Sequence, residues 1–122
     1  MKGGNIVKCI TDYIEAHLDE DLSLEGIAES LHYSKFYMAR MFAQETGDTI
    51  GKYIQRRRLE LAAKQLVETN IPIVEIACEA HYNSQQAFTL AFRRLYLCTP
   101  QVYRKRGRSD MQICAWIGGI AV

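Results

Sequence analysis

Phe36 and Arg40 stand four residues apart in a segment whose apolar positions, Met38, Met41 and Phe42, recur at helical spacing. Residues four apart share a helix face, so an aromatic ring and a guanidinium project together, away from the apolar side. A guanidinium can make paired hydrogen bonds to guanine O6 and N7, and an apolar ring can lie against thymine methyls. An exposed Phe also fits a small secondary core, but helix geometry aligns Phe36 with Arg40 rather than with Phe42. Lys35, Tyr37, Ala39 and Gln44 share the outward side. Fifty residues on, Gln85, Gln86, Thr89 and Arg93 face outward in the same frame, with Phe88 and Phe92 inward. Glutamine amides suit adenine N6 and N7. The counterpart of Arg40 is Leu90, which could meet a thymine methyl but is read as packing, the commoner role of leucine. The first unit is therefore expected to carry more of the specificity.

These faces belong to a repeat. Ile27-Ala28-Glu29-Ser30-Leu31-His32-Tyr33 aligns with Ile76-Ala77-Cys78-Glu79-Ala80-His81-Tyr82 at an offset of 49, with Ile, Ala, His and Tyr coinciding. Asn83 is an insertion, after which the offset is 50. Ser34 then falls on Ser84, Met38 on Phe88, Phe42 on Phe92, Thr49 on Thr99, Tyr53 on Tyr103 and Arg56 on Arg106. Two copies are too few for a solenoid. They suit a duplicated helix-turn-helix, in which one helix braces the backbone and the second lies in the major groove.

The elements that must hold these faces read as helix throughout, seven in all. Residues 6–18 place Ile6, Ile10, Tyr13, Ile14 and Leu18 on one stripe. Ser23 caps a short helix bearing Leu24, Ile27, Ala28 and Leu31; His32-Tyr33 makes the turn, Ser34 caps the next helix and Gly47 ends it. Thr49 caps a long helix to about Thr69, with Ile50, Tyr53, Ile54, Leu61, Ala62 and Leu66 as its apolar stripe. Pro72 fits the first position of the following helix, where a missing donor costs nothing. Ile73, Ile76, Ala77 and Ala80 face inward there, and Asn83 or Ser84 caps its successor. Thr99-Pro100 opens a last helix to about Arg104. The expected architecture is all-α: seven helices forming two helix-turn-helix subdomains joined by a long central helix. Residues 50–69 span about 30 Å, close to the ~34 Å turn of B-DNA, so both reading helices could enter successive major grooves.

The net charge of +1 conceals an asymmetry. Residues 1–34 carry a net −5 and residues 35–122 a net +6, with cations gathered at Arg56-Arg57-Arg58, Arg93-Arg94 and Arg104-Lys105-Arg106 with Arg108. A segregated basic half is the footprint of a polyanion binder. Cys9, Cys78, Cys98 and Cys114 are scattered, with no CxxC and no His at ligand spacing, which favours reduced thiols over disulfides or zinc. No apolar run approaches the ~18 residues of a membrane helix. Three scattered His residues and no Gly-rich phosphate loop give little basis for an enzyme, and no catalytic residue, metal or cofactor is assigned.

The stretch Tyr33-Ser34-Lys35-Phe36-Tyr37-Met38-Ala39-Arg40-Met41-Phe42, with Thr46-Gly47, Tyr53-Ile54 and Arg56-Arg57-Arg58-Leu59, resembles the AraC/XylS regulators. Ser84-Gln85-Gln86-Ala87-Phe88-Thr89, Phe92-Arg93, Thr99-Pro100 and Tyr103-Arg104 continue the resemblance, which covers about residues 4–106. It is similar above all to the small Mar/Sox/Rob-type activators of multidrug and oxidative-stress resistance. The resemblance implies a monomeric activator in the bacterial cytoplasm that binds an asymmetric promoter site of two helical turns and recruits RNA polymerase. It implies Arg40, Gln85 and Gln86 toward bases, with Phe36 keeping the aromatic character of its position. With the outward faces and the cation clusters, the expected base contacts are Phe36, Tyr37, Arg40, Gln85, Gln86 and Thr89, and the expected phosphate contacts Lys35, Arg56, Arg57, Arg93 and Arg104. In that subgroup the position of Phe36 is usually Trp; the family normally has Arg at the position of Leu90, and the duplicated helix usually ends in Gly where Leu97 stands.

The expected organisation is a DNA-binding domain over residues 1–106 and a tail over 107–122. Within the domain, the first helix-turn-helix covers about 23–46, the linker helix about 50–69 and the second helix-turn-helix about 72–96. The tail is apolar and matches neither the repeat nor the family pattern. With no residues left for a ligand-sensing domain, no small-molecule effector is expected, and control falls on abundance. The rival function is a helical protein-interaction adaptor with a solvated charged face, its acidic first helix the docking surface. An adaptor has no reason to repeat polar and basic content at equivalent positions of two outward faces.

Overall fold

The computed structural model describes residues 2–108. Among these it contains seven helices and no strand: α1 Lys2–Ala16, α2 Leu24–Leu31, α3 Lys35–Thr46, α4 Ile50–Glu68, α5 Ile73–Glu79, α6 Gln85–Tyr96, and α7 over 100–108. The apolar tail lies outside the described residues from 109 onward. The last helix, expected to end at about Arg104, runs on through Gly107 and Arg108. A Cβ at position 107 would overlap a Val67 methyl, so glycine is what lets α7 lie this close to α4.

The helix starts follow their caps. Ser23, Ser34 and Ser84 accept from the backbone N–H three residues on, of Gly26, Tyr37 and Ala87. Thr49 accepts from Lys52 N at 3.1 Å and Thr99 from Val102 N at 3.2 Å, opening α4 and α7 alike. Each bond satisfies a donor that the first helical turn leaves without a partner. Pro72 sits one position earlier than expected, as the residue before α5, its carbonyl accepting from Glu75 and Ile76.

The described residues divide into two compact units, one up to Arg58 and one from Leu59 on. In the first, α1, α2, α3 and the start of α4 enclose Ile6, Ile10, Ile14, Leu18, Ile27, Ala28, Met38, Phe42, Ile50 and Ile54. In the second, the remainder of α4 with α5 and α6 encloses Leu59, Ala62, Ala63, Leu66, Ile76, Ala77, Ala80, Phe88 and Phe92. The inward stripe of α4 therefore changes along its length. Leu61, expected inside, is 41% exposed, while Leu59 and Ala63 are buried in its place.

The repeat holds at the level of single bonds. After α2, His32 takes a left-handed conformation at φ 63° and Tyr33 N donates to Ala28 O. After α5, His81 does so at φ 69° and Tyr82 N donates to Ala77 O. Arg58 donates to Leu18 O and Glu20 O at 3.0 and 2.6 Å. Its counterpart fifty residues on, Arg108, donates to Thr69 O and to Asn70 Oδ1. In each unit, then, an arginine from the last helix holds the segment that follows the first.

The two reading helices end differently. Gly47 closes α3 at φ 74° and Leu97 closes α6 at φ 64°, each N–H returning to a carbonyl four residues back. A left-handed conformation costs a residue with a Cβ about 1–2 kcal/mol. Leu97 is 87% exposed, so no packing offsets that cost. Leu97→Gly is expected to stabilise the chain by about 1 kcal/mol in urea unfolding, and Gly47→Leu to destabilise it by a similar amount. Equal midpoints for Leu97→Gly and the native chain would contradict this.

Candidate nucleic-acid interface

The two second helices present matching surfaces. From Lys35 to Phe42 and from Gln85 to Phe92 burial follows the same order, with one difference at Tyr37 against Ala87. Met38 and Phe42 are fully buried, as are Phe88 and Phe92. Phe36 and Arg40 are exposed, as are Gln86 and Leu90. Each helix thus has an outward stripe at i and i+4, aromatic and cationic on α3, amide and aliphatic on α6.

On α3, Phe36 is 76% exposed, with the Lys35 ammonium 5.4 Å from its ring centre. Lys35 also pairs with Glu25 of α2 at 3.1 Å. Tyr37, expected among the base-facing residues, is half-buried against the first core. Its ring lies 6.0 Å from that of Tyr33 and 5.8 Å from the Arg40 guanidinium. A cation above a ring face is attracted to it, so Tyr37 supports Arg40 from below.

On α6, Gln85, Gln86, Thr89, Leu90 and Arg93 line one groove. Leu90 is 55% exposed there. The expectation that it packs on the domain is corrected: the helix turns the position outward just as it does at Arg40. Arg93 and Arg94 stand in the last turn, and the helix has no acidic residue.

The cations expected at phosphates are placed in three ways. Lys35 and Arg93 lie on the reading helices, Arg93 exposed. Arg56 pairs with Asp48 at 3.0 Å and lies over the Tyr53 ring. Arg57 grips both Glu15 oxygens at 2.7 and 2.9 Å. Arg104 donates to Leu66 O at 2.8 Å, Thr69 O at 3.3 Å and Ile71 O at 2.6 Å, satisfying carbonyls at the end of α4. Arg57 and Arg104 therefore tie helices together within their own units, which charge clustering could not reveal. Arg58 and Arg108, not among the residues expected at phosphates, stand fifty apart as identical residues of the repeat.

Tyr53 also donates to Glu15, at 3.0 Å. The Arg57 hydrogen bond, ahead of that from Tyr53, holds the Glu15 carboxyl below its usual range, while burial and then Glu15 itself push the Tyr53 hydroxyl up. A lowered folded-state value means stability present above the unfolded value near 4.5 and lost as pH falls through the folded one. Urea midpoints measured from about pH 5 down to pH 3 should fall less for Glu15→Gln than for the native chain. Parallel profiles would assign the acid loss to other carboxylates. With half-exposed partners the effect is modest.

Residues 27–106 match the family model described as a helix-turn-helix domain. The chain is 42% identical over 106 residues to the regulatory protein SoxS of Salmonella typhimurium, covering 87% of this chain and 99% of that protein. The chain belongs to the AraC-type helix-turn-helix family. This AraC-type chain is also 41% identical over 105 residues to the right origin-binding protein of Escherichia coli, across 86% of its own length but 36% of the relative's. It superposes on the crystal structure of a Chromobacterium violaceum transcriptional regulator with an AraC-type DNA-binding domain at a TM-score of 0.81, with 27% identity, over 85% of this chain and 93% of that one. The two helix-turn-helix units read from the repeat are thus those of an AraC-type DNA-binding domain.

Proposed function

We infer that this AraC-type chain is a sequence-specific DNA-binding transcriptional activator of multidrug or oxidative-stress resistance genes. The observation that carries the reading is the coincidence of exposure along α3 and α6, with cationic or amide groups repeated on both outward faces. An adaptor has no physical reason for that repetition. The likeness to SoxS supports the stress-resistance part of the reading. The chain acts as a monomer, its two units entering successive major grooves of one asymmetric promoter site. Phe36, Arg40, Gln85, Gln86 and Thr89 face base edges, with Tyr37 as the support of Arg40. RNA polymerase is the protein partner, and the cytoplasmic nucleoid the place of action. No helix among the described residues is long and apolar enough to cross a membrane.

Selection from a randomised duplex of about 30 bp tests this directly, being long enough for two half-sites one helical turn apart. Two unequal blocks of preference about 10 bp apart are expected. No enrichment would remove the regulator reading. Charge reversal at Glu15 is a poor probe of polymerase contact, because it also breaks the bonds to Arg57 and Tyr53. Asp12, whose one ion pair among the described residues is with Lys8 a turn away on α1 at 3.1 Å, is the cleaner position.

Arg93 is the phosphate candidate with the most exposed setting. Arg93→Ala is expected to weaken selected and random duplexes alike and to reduce the slope of log affinity against log salt by about 0.9. A loss confined to the selected site would make Arg93 a reader of bases instead.

A further inference from the structure

In the structure Leu90 occupies the outward position where α3 has Arg40, and it is as open to solvent as a reading residue must be. Its neighbours in the groove are the Gln85 and Gln86 amides, the Thr89 side chain with its methyl, and Arg93. Among the described residues no hydrogen bond or ion pair engages the side chains of Gln85, Gln86 or Thr89. A leucine over half exposed gains little from the fold, since an apolar side chain is stabilised only in proportion to the area it removes from water. The polyanion that brings base edges to this face is favoured by Arg93 and Arg94 in the last turn.

We propose that Leu90 and Thr89 form a site for the C5-methyl group of a pyrimidine in the major groove, so that the second unit reads a methylated pyrimidine step where the first reads guanine through Arg40. The proposal rests on the DNA-reading function above and names what its weaker half recognises. The major groove displays one apolar group, the thymine methyl, and 5-methylcytosine places the same group at the same carbon. Gln86, four residues before Leu90 on the stripe, supplies an amide for the adenine of a neighbouring A·T pair. Arg40 and Leu90 thereby divide the target by chemistry, a guanine-reading block and a methyl-reading block, and this orients the chain on its site.

The experiment uses the full chain and a duplex bearing its selected site. Each thymine of the second block is replaced in turn by deoxyuridine, which keeps every hydrogen-bonding group and removes only the methyl. At one or two positions the native chain is expected to lose about fourfold in affinity, the worth of one buried methyl. Leu90→Ala should be insensitive to deoxyuridine at those positions while keeping its full response to changes in the first block, which also shows that it is folded. Leu90→Arg should transfer the preference there to guanine. Placing cytosine or 5-methylcytosine at the same position separates the sources. Recovery by 5-methylcytosine alone supports methyl recognition, and failure of both bases together with indifference to deoxyuridine overturns it. A native chain indifferent to deoxyuridine throughout the second block, yet still discriminating in the first, also overturns the proposal and leaves the DNA-reading function standing. Loss of discrimination in both blocks removes both.

Discussion

Phe92→Ala is expected to cost about 3–5 kcal/mol, the range for removing a fully buried aromatic side chain. Phe92 is 0% exposed, its ring 4.6 Å from that of Tyr96, 5.3 Å from Tyr103 and 5.6 Å from Phe88. Four aromatic rings on α6 and α7 thus share one contact set, and its central member cannot be deleted without leaving the other three facing a void. Small domains are stable by about 5–15 kcal/mol in total, so one substitution removes a large share. Urea unfolding followed by circular dichroism gives the measure, and specific DNA affinity should fall with it because α6 loses its seat. A loss below about 1 kcal/mol would mean that the surrounding side chains close the cavity, contrary to a core of stiff rings.

Arg40→Ala is the functional counterpart. It should weaken the selected site by about 1–3 kcal/mol and relax preference at one or two base pairs of the first block, with random duplexes little affected. Arg40→Lys sharpens the test. Lysine keeps the charge but lacks the planar fork that pairs with guanine, so affinity for random DNA should persist while discrimination at that position is lost. Equal losses on random and selected DNA for Arg40→Ala would make Arg40 a phosphate contact and return base reading to Phe36.

Much of the fold was legible in the chain because its signals are local. Serine and threonine caps at Ser23, Ser34, Thr49, Ser84 and Thr99 depend on bonds to residues three positions away, and all five open a helix. The burial of Met38, Phe42, Phe88 and Phe92 follows from helical period alone. The stripe of α4 departs from one continuous period because the helix serves two cores, and its inward face changes between Ile54 and Leu59.

The site residues divide along the same line. The outward setting of Phe36, Arg40 and Gln86 could be inferred, since it needs only the frame of one helix. The partners of the arginines could not. Arg57 meets Glu15 across 42 residues of sequence and Arg104 meets Ile71 across 33, and a run of cations looks the same whether it faces solvent or ties two helices together. Leu90 carries two opposed signals, burial from its residue type and exposure from its place in the repeat, and it stands 55% exposed.

By itself, then, the sequence determined the helices, their caps, the twofold repeat and the outward direction of its reading stripes, all consequences of short-range hydrogen bonding and helical period. Tertiary structure alone decided which cations are occupied within the fold and that Tyr37 is half-buried against the first core rather than turned outward. Those outcomes depend on side chains far apart in sequence meeting, or failing to meet, once the helices have packed.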